Sequence, residues 1–151
     1  MLLYLADQYA DNGYIKESIG IFEELLIKDP SYANAIALRL EKVLTKDPNL
    51  GDVYLLQSKI HSSRHNFNAA AQAIERAREL MPGREDIILK HGQLLHESGD
   101  TENAIKLFTE LLGKTRDRKG VYRLIKKTRD DYYREKIEML QGDDDALRLE
   151  R

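Results

Sequence analysis

The feature that most narrows what this chain can fold into is an internal repeat. The stretch from Asn49 to Arg116 reads as one helix-turn-helix unit written twice. Shifting the sequence by 34 positions pairs Ser58 with Gly92, His65 with Gly99, Asn66 with Asp100, Ala70 with Ala104, Ile74 with Phe108 and Ala77 with Leu111. A fixed period of this length marks solenoids, in which each unit buries its apolar face only by stacking on the next. A further copy spans Met1 to Pro30, with Leu5, Ala6 and Tyr9 in a first helix, Gly13 at the turn, and Ser18, Phe22 and Leu25 in a second. Strand-like alternation is absent, and the three prolines all follow helix-like runs, where proline punctuates helix ends.

Within a unit the residue types prescribe packing. Small residues at Ala6/Ser18, Ser58/Ala70 and Gly92/Ala104 let two antiparallel helices approach closely. Phe22, Ile74 and Phe108 then fill the space between units, each burial contributing on the order of 1.5 to 3 kcal/mol. Gly13 and Gly99 suit the left-handed conformation of a helix end, and Asp100 suits a cap on the helix that follows. His65 stands where the other copies have glycine, which predicts a wider or strained turn. With Gly92 and Leu95 in one helix, Gly99 at the turn and Ala104, Phe108 and Leu111 in the next, this pattern resembles the tetratricopeptide repeat. The resemblance covers Met1 to Pro30 and Asn49 to about Arg116, departing at Ser18, where the family favours alanine. It implies a single all-α, tetratricopeptide-like solenoid of helical hairpins wound as a right-handed superhelix.

Between Pro30 and Pro48 the period fails, because the interval is about half a repeat. Tyr32, Ala35, Ile36, Leu40, Val43 and Leu44 give one amphipathic helix there, with no internal Gly or Pro. An unpaired helix reverses the up-down phase of an array, so residues 31–48 are read either as a joint between repeat 1–30 and repeats 49–82 and 83–116, or as what an in-frame loss of about half a repeat leaves behind. After Arg116, residues 117–151 are read as a capping helix carrying Val121, Leu124, Ile125 and Thr128, then a partial repeat. Tyr133, Ile137 and Leu140 continue at helical spacing, Gly142 and the Asp143 to Asp145 run read as a turn, and Ala146 begins an unfinished helix. Starting and stopping inside helices fits a segment of a longer array.

Composition removes several functions. A chain that is 42% hydrophobic and 33% charged is built to fold, and a formal charge of -2 is too small to imply bulk attraction to nucleic acid or membrane. The absence of cysteine excludes disulfides and thiolate chemistry. The apolar opening Met1–Ala6 is far short of a membrane span or a signal-peptide core, which makes the cytoplasm the default expectation. His61 and His65 are four apart, but Ser62 stands where a zinc protease needs glutamate and no third ligand is near, so no metal is assigned. His91 and His96, five apart, point to different faces. With no phosphate loop, nucleophile elbow or isolated carboxylate pair, the sequence calls for neither an enzymatic activity nor a cofactor.

What the resemblance implies is a protein-protein interaction scaffold, with a partner's peptide or helix held in a concave groove lined by the first helix of each repeat. The residues at groove-lining places are Leu3, Asp7, Asp52, Leu55, Leu56, Lys59, Asp86, Leu89, Lys90, Gln93 and His96. Family members that clamp a chaperone's terminal carboxylate need Lys and Asn in the first repeat and Lys and Arg in the third. This chain has Leu3 and Asp7 in the first, Leu56 in the second and Asp86 in the third, with only Lys90 basic in the right neighbourhood, so that partner is not expected. Leu55 and Leu89 recur at one place in successive repeats, with Leu3 corresponding in the first, which points to an amphipathic segment of mixed charge. Open solenoid ends offer an alternative, stacking on a copy of itself or on neighbouring repeats of an assembly. The one charge asymmetry runs through Lys114, Arg116, Arg118, Lys119, Arg123, Lys126, Lys127 and Arg129, with only Asp117 opposed to it. It offers an anionic partner a patch, but little aromatic interleaving argues against nucleic acid.

Overall fold

The computed structural model describes residues 1–149, without the side chains of 144–147. Among the described residues eight α-helices follow one another: α1 (Leu2–Asp11), α2 (Ile15–Lys28), α3 (Ala33–Lys46), α4 (Gly51–Ser63), α5 (Phe67–Leu80), α6 (Glu85–Glu97), α7 (Thr101–Leu112) and α8 (Arg118–Leu149). No strand occurs among the described residues. A single 3-10 turn at Pro30–Tyr32 leads into α3, started by the Asp29 carboxylate accepting from the Ser31 amide at 2.9 Å. That hydrogen bond also lowers the Asp29 pKa.

The tight hairpins are α1/α2, α4/α5 and α6/α7, and each closes where small residues meet. Ala6, Ser58, Ala70 and Ala104 are fully buried, and a Cβ on Gly92 would lie 2.2 Å from the Phe108 ring. Three apolar clusters succeed one another along the chain. Phe22 packs with Ile36, Leu40, Val53 and Leu56; Ile74 packs with Ile87 and Leu94; and Phe108 packs with Val121 and Ile125 of α8.

The turns inside the three hairpins share one hydrogen-bond pattern, that of a Schellman motif. The amides of Gly13, His65 and Gly99 donate three residues back, at 3.1, 3.0 and 3.0 Å, and those of Tyr14, Asn66 and Asp100 donate five back. His65 therefore does not widen its turn: it takes the left-handed conformation itself, at φ 58, beside Gly13 at 83 and Gly99 at 95. Strain is confined to one residue, and the caps by Asn66 and Asp100 on α5 and α7 are alike.

α3 is continuous, and it decides which helices become neighbours. Asp7 and Asp11 of α1 meet Arg39 and Lys46 of α3 at 2.9 and 2.7 Å, so α1 and α3 lie side by side and parallel. On α2 and α4 the register is as regular: Lys16 and Asp52 line one slot, Glu23 pairs with Lys59, and Ile27 shares a cleft with Ser63. Thus α4 has the second helix of the first hairpin beside it, not the first. Val53, Leu56 and Ile60 of α4 join the first cluster while Tyr54 and Leu55 pack on the second, so α4 is buried from two sides.

The expected turn at Gly142 does not form. α8 runs unbroken through it, because a lone glycine costs about 1 kcal/mol inside a helix whereas a new helix must be nucleated afresh. The expected second helix at Ala146 is accordingly the same helix.

Candidate partner-binding surface

The groove residues read from the sequence divide between several places. Leu3 packs against the first cluster and Asp7 pairs with Arg39 of α3, so both are taken up in packing rather than offered to a partner beside Leu55. Leu56 is 1% exposed and belongs to the core, a correction that follows from α3 and α2 both resting on α4. Leu89 packs against the third cluster, formed by α7 and α8. His96 is held at the α6/α7 turn, its Nδ1 2.8 Å from the Thr101 hydroxyl. Lys90 and Gln93 reach solvent on α6.

Asp52, Leu55 and Lys59 come together with α2. Between the two helices lies a slot of about 480 Å³ floored by Ile19, Gly20, Leu55 and Met81. The ion pair of Glu23 with Lys59 closes one end. At the other end Arg84 stands 3.6 Å from Asp52 and 2.7 Å from Asp86, and its hydrogen bond lowers the Asp86 pKa. Lys16 stands on the rim with no carboxylate in ion-pair reach among the described residues.

Gly20 is the informative residue of the slot. It sits in the interior of α2, where glycine costs roughly 0.5–1 kcal/mol relative to alanine. A Cβ there would meet nothing within 4 Å, so packing does not require its absence. The equivalent places in the other hairpins hold Gln72 and Lys106, both exposed. Sequence reasoning misses α2 as a wall of the site, although a mid-helix glycine out of line with its repeat partners is a signal in plain view.

A second cleft, about 730 Å³, separates α1 from α3. The ion pairs to Asp7 and Asp11 span it, and the Lys46 hydrogen bond lowers the Asp11 pKa. Tyr4 and Leu38 stand at its edge, 68% and 67% exposed. Leu38, Arg39, Lys42 and Lys46 are not expected here from the sequence, because a helix read as a joint has no assigned groove face.

On α8, Val121, Ile125 and Thr128 face the body. Arg118, Lys119, Arg123, Lys126, Lys127 and Arg129 are all exposed, and none has a carboxylate in ion-pair reach among the described residues. Arg118 also donates to the Leu112 carbonyl at 2.9 Å, tying the start of α8 to the end of α7.

His91 is buried on α6 with Nδ1 unpaired in the protein. Burial holds its imidazole down at about 4, and the nearby Arg78 guanidinium adds to that effect. His61 lies in α4 while His65 sits in the turn beyond it, so the two do not share a helical face.

No family model matches the chain, and neither does any curated protein. Among solved structures, the MamA protein is similar at 20% identity over 75% of this chain and 70% of that one, with a TM-score of 0.48. The N-terminal domain of stress-induced protein-1 (STI-1) from C. elegans is similar at 15% identity over 84% of this chain and 94% of that one, with a TM-score of 0.53. The likeness to the STI-1 domain is one of fold, and together with the eight helices it places the chain among all-α, tetratricopeptide-like repeat solenoids.

Proposed function

We propose that this chain is a non-enzymatic interaction scaffold that holds a segment of a protein partner against the face formed by α2, α4 and α6. The observation that carries this reading is the slot at Gly20, where a glycine unfavourable to its own helix leaves open space between charged walls. Lys16, Asp52 and Lys59 around Leu55 suit a partner of mixed charge, since rim charges fix orientation while a central apolar contact supplies affinity. By the 34-residue period Lys90 and Gln93 are the α6 counterparts of Leu56 and Lys59, and we assign them to the same face on that ground.

The test is capture of a partner by the wild-type chain beside Leu55→Ser and Gln72→Ala, the second lying away from the slot. Capture lost in Leu55→Ser by more than its loss of folded protein explains, and retained in Gln72→Ala, is the expected result. Capture that merely follows the folded fraction of each variant contradicts it.

The exposed, unpaired cations of α8 favour a second reading, docking of an anionic partner along that helix. Such binding weakens steeply as salt rises, and Lys126→Glu with Arg129→Glu abolishes it. Affinity for a polyanion that is flat between low and high salt rules this reading out.

A further inference from the structure

We propose that the slot at Gly20 receives one bulky apolar side chain, aromatic or long aliphatic, from a partner segment that also presents a carboxylate to Lys16. This rests on the scaffold reading and specifies what the scaffold recognises. The dimensions limit the occupant. Asp52 and Lys59, whose ion pairs close the two ends, are seven residues apart on α4, or about 10 Å of helix. An opening of that length admits one large side chain, and the closed ends exclude a run of them. Its volume of about 480 Å³ is at the low end for small-molecule pockets, which run from about 300 to 1,000 Å³.

The walls select chemistry as well as size. Ile19, Leu55 and Met81 make the floor apolar, and the flexible Met81 thioether adapts to an aromatic or aliphatic guest. Of the five charged groups on the rim, Glu23, Lys59, Asp52 and Arg84 are already engaged with one another. Lys16 remains, on the α2 side of Gly20 and one turn from it, so the charge left to satisfy is positive and the group that satisfies it is an anion. Gly20 lets the partner's main chain approach α2 closely, which Gln72 and Lys106 prevent at the equivalent places of α5 and α7.

The experiment pans a phage-displayed library of random peptides on the full chain and measures affinities of the selected peptides for variants. Enriched peptides are expected to share a Phe, Trp, Leu or Met close to an Asp or Glu. Their affinity falls by about tenfold or more on Gly20→Leu, which fills the slot. Lys16→Glu reverses the charge preference, favouring versions with Lys or Arg in place of the carboxylate. Gly20→Gln, which installs the residue found at the equivalent place in α5, serves as a second filled slot should leucine perturb folding. Peptides that bind Gly20→Leu and Gly20→Gln within about twofold of wild type overturn the proposal, as does a library with no enrichment over the bare support. If those same peptides lose binding on changing Lys90 and Gln93, the scaffold face stands and only the slot is wrong; if they do not, both readings fall.

Discussion

The α6/α7 hairpin and the α1/α2 hairpin are built from the same small-residue contact and the same turn, yet their neighbours differ. α6 follows α4 at the repeat interval, while one extra helix, α3, stands between α2 and α4. That insertion places α3 beside α1 and puts α2 beside α4. A solenoid's groove therefore depends on which helix abuts which, and a single unpaired helix can move it. The wall of the slot is thus the second helix of one hairpin and the first of another.

The two hairpins part most sharply at their glycines. Gly92 is sealed against Phe108, so Gly92→Leu is expected to destabilise by about 3 kcal/mol or more, as overpacking does where backbone and ring cannot yield. Gly20 faces open space, so Gly20→Ala is expected to stabilise by about 0.5–1 kcal/mol. Chemical denaturation midpoints check both, and equal shifts would mean that α2 is as closely covered at Gly20 as α6 is at Gly92.

A pH effect of nearly that size belongs to the second half of the molecule alone. His91 titrates near 6.5 when unfolded and at about 4 when folded, so the unfolded chain binds the proton more readily between those values. Stability is therefore full above about pH 6.5 and falls as pH drops toward 4, by at most about 3 kcal/mol. The α4 counterpart, Gln57, does not titrate, so His91→Gln is expected to flatten this slope. Urea unfolding at a series of pH values reads it directly, and a slope unchanged in His91→Gln would assign the effect to other groups.

A smaller difference lies in the turns. His65 holds a left-handed φ of 58 where the others have glycine, so His65→Gly is expected to gain about 1 kcal/mol, less what its edge contact with Phe67 supplies. Gly99→Ala, at φ 95, is expected to lose a similar amount. Thermal unfolding of the pair sharpens the comparison, and a gain in both would show that the turns are not equivalent.

The hairpins are legible in the sequence because Ser58, Ala70, Gly92 and Ala104 mark close contacts within themselves, and α3 is legible as one helix because nothing in it interrupts helical spacing. The adjacency of α2 and α4 is not, since no residue of either helix names its neighbour. A hint lies in α4, where Val53, Tyr54, Leu55, Leu56 and Ile60 surround the helix with apolar side chains and so predict burial on more than one side. Repeat position alone puts Leu56 in the groove, and burial on both sides of α4 takes it out again. The continuity of α8 past Gly142 is hidden because glycine and an acidic run resemble a turn locally, whereas helix propagation outweighs a single poor residue.

The central claim is the rerouted adjacency, and a chain without native cysteine lets it be tested by cross-linking. Glu23→Cys with Lys59→Cys, and separately Asp7→Cys with Lys59→Cys, would be treated with a short bifunctional maleimide under native conditions. Glu23, Lys59 and the half-buried Asp7 all reach solvent, so replacing them costs little stability, on the order of 1 kcal/mol or less. Rapid intramolecular cross-linking of the 23/59 pair and none of the 7/59 pair is the predicted result. Cross-linking of Asp7→Cys with Lys59→Cys, and not of Glu23→Cys with Lys59→Cys, would put α1 beside α4 and contradict the account.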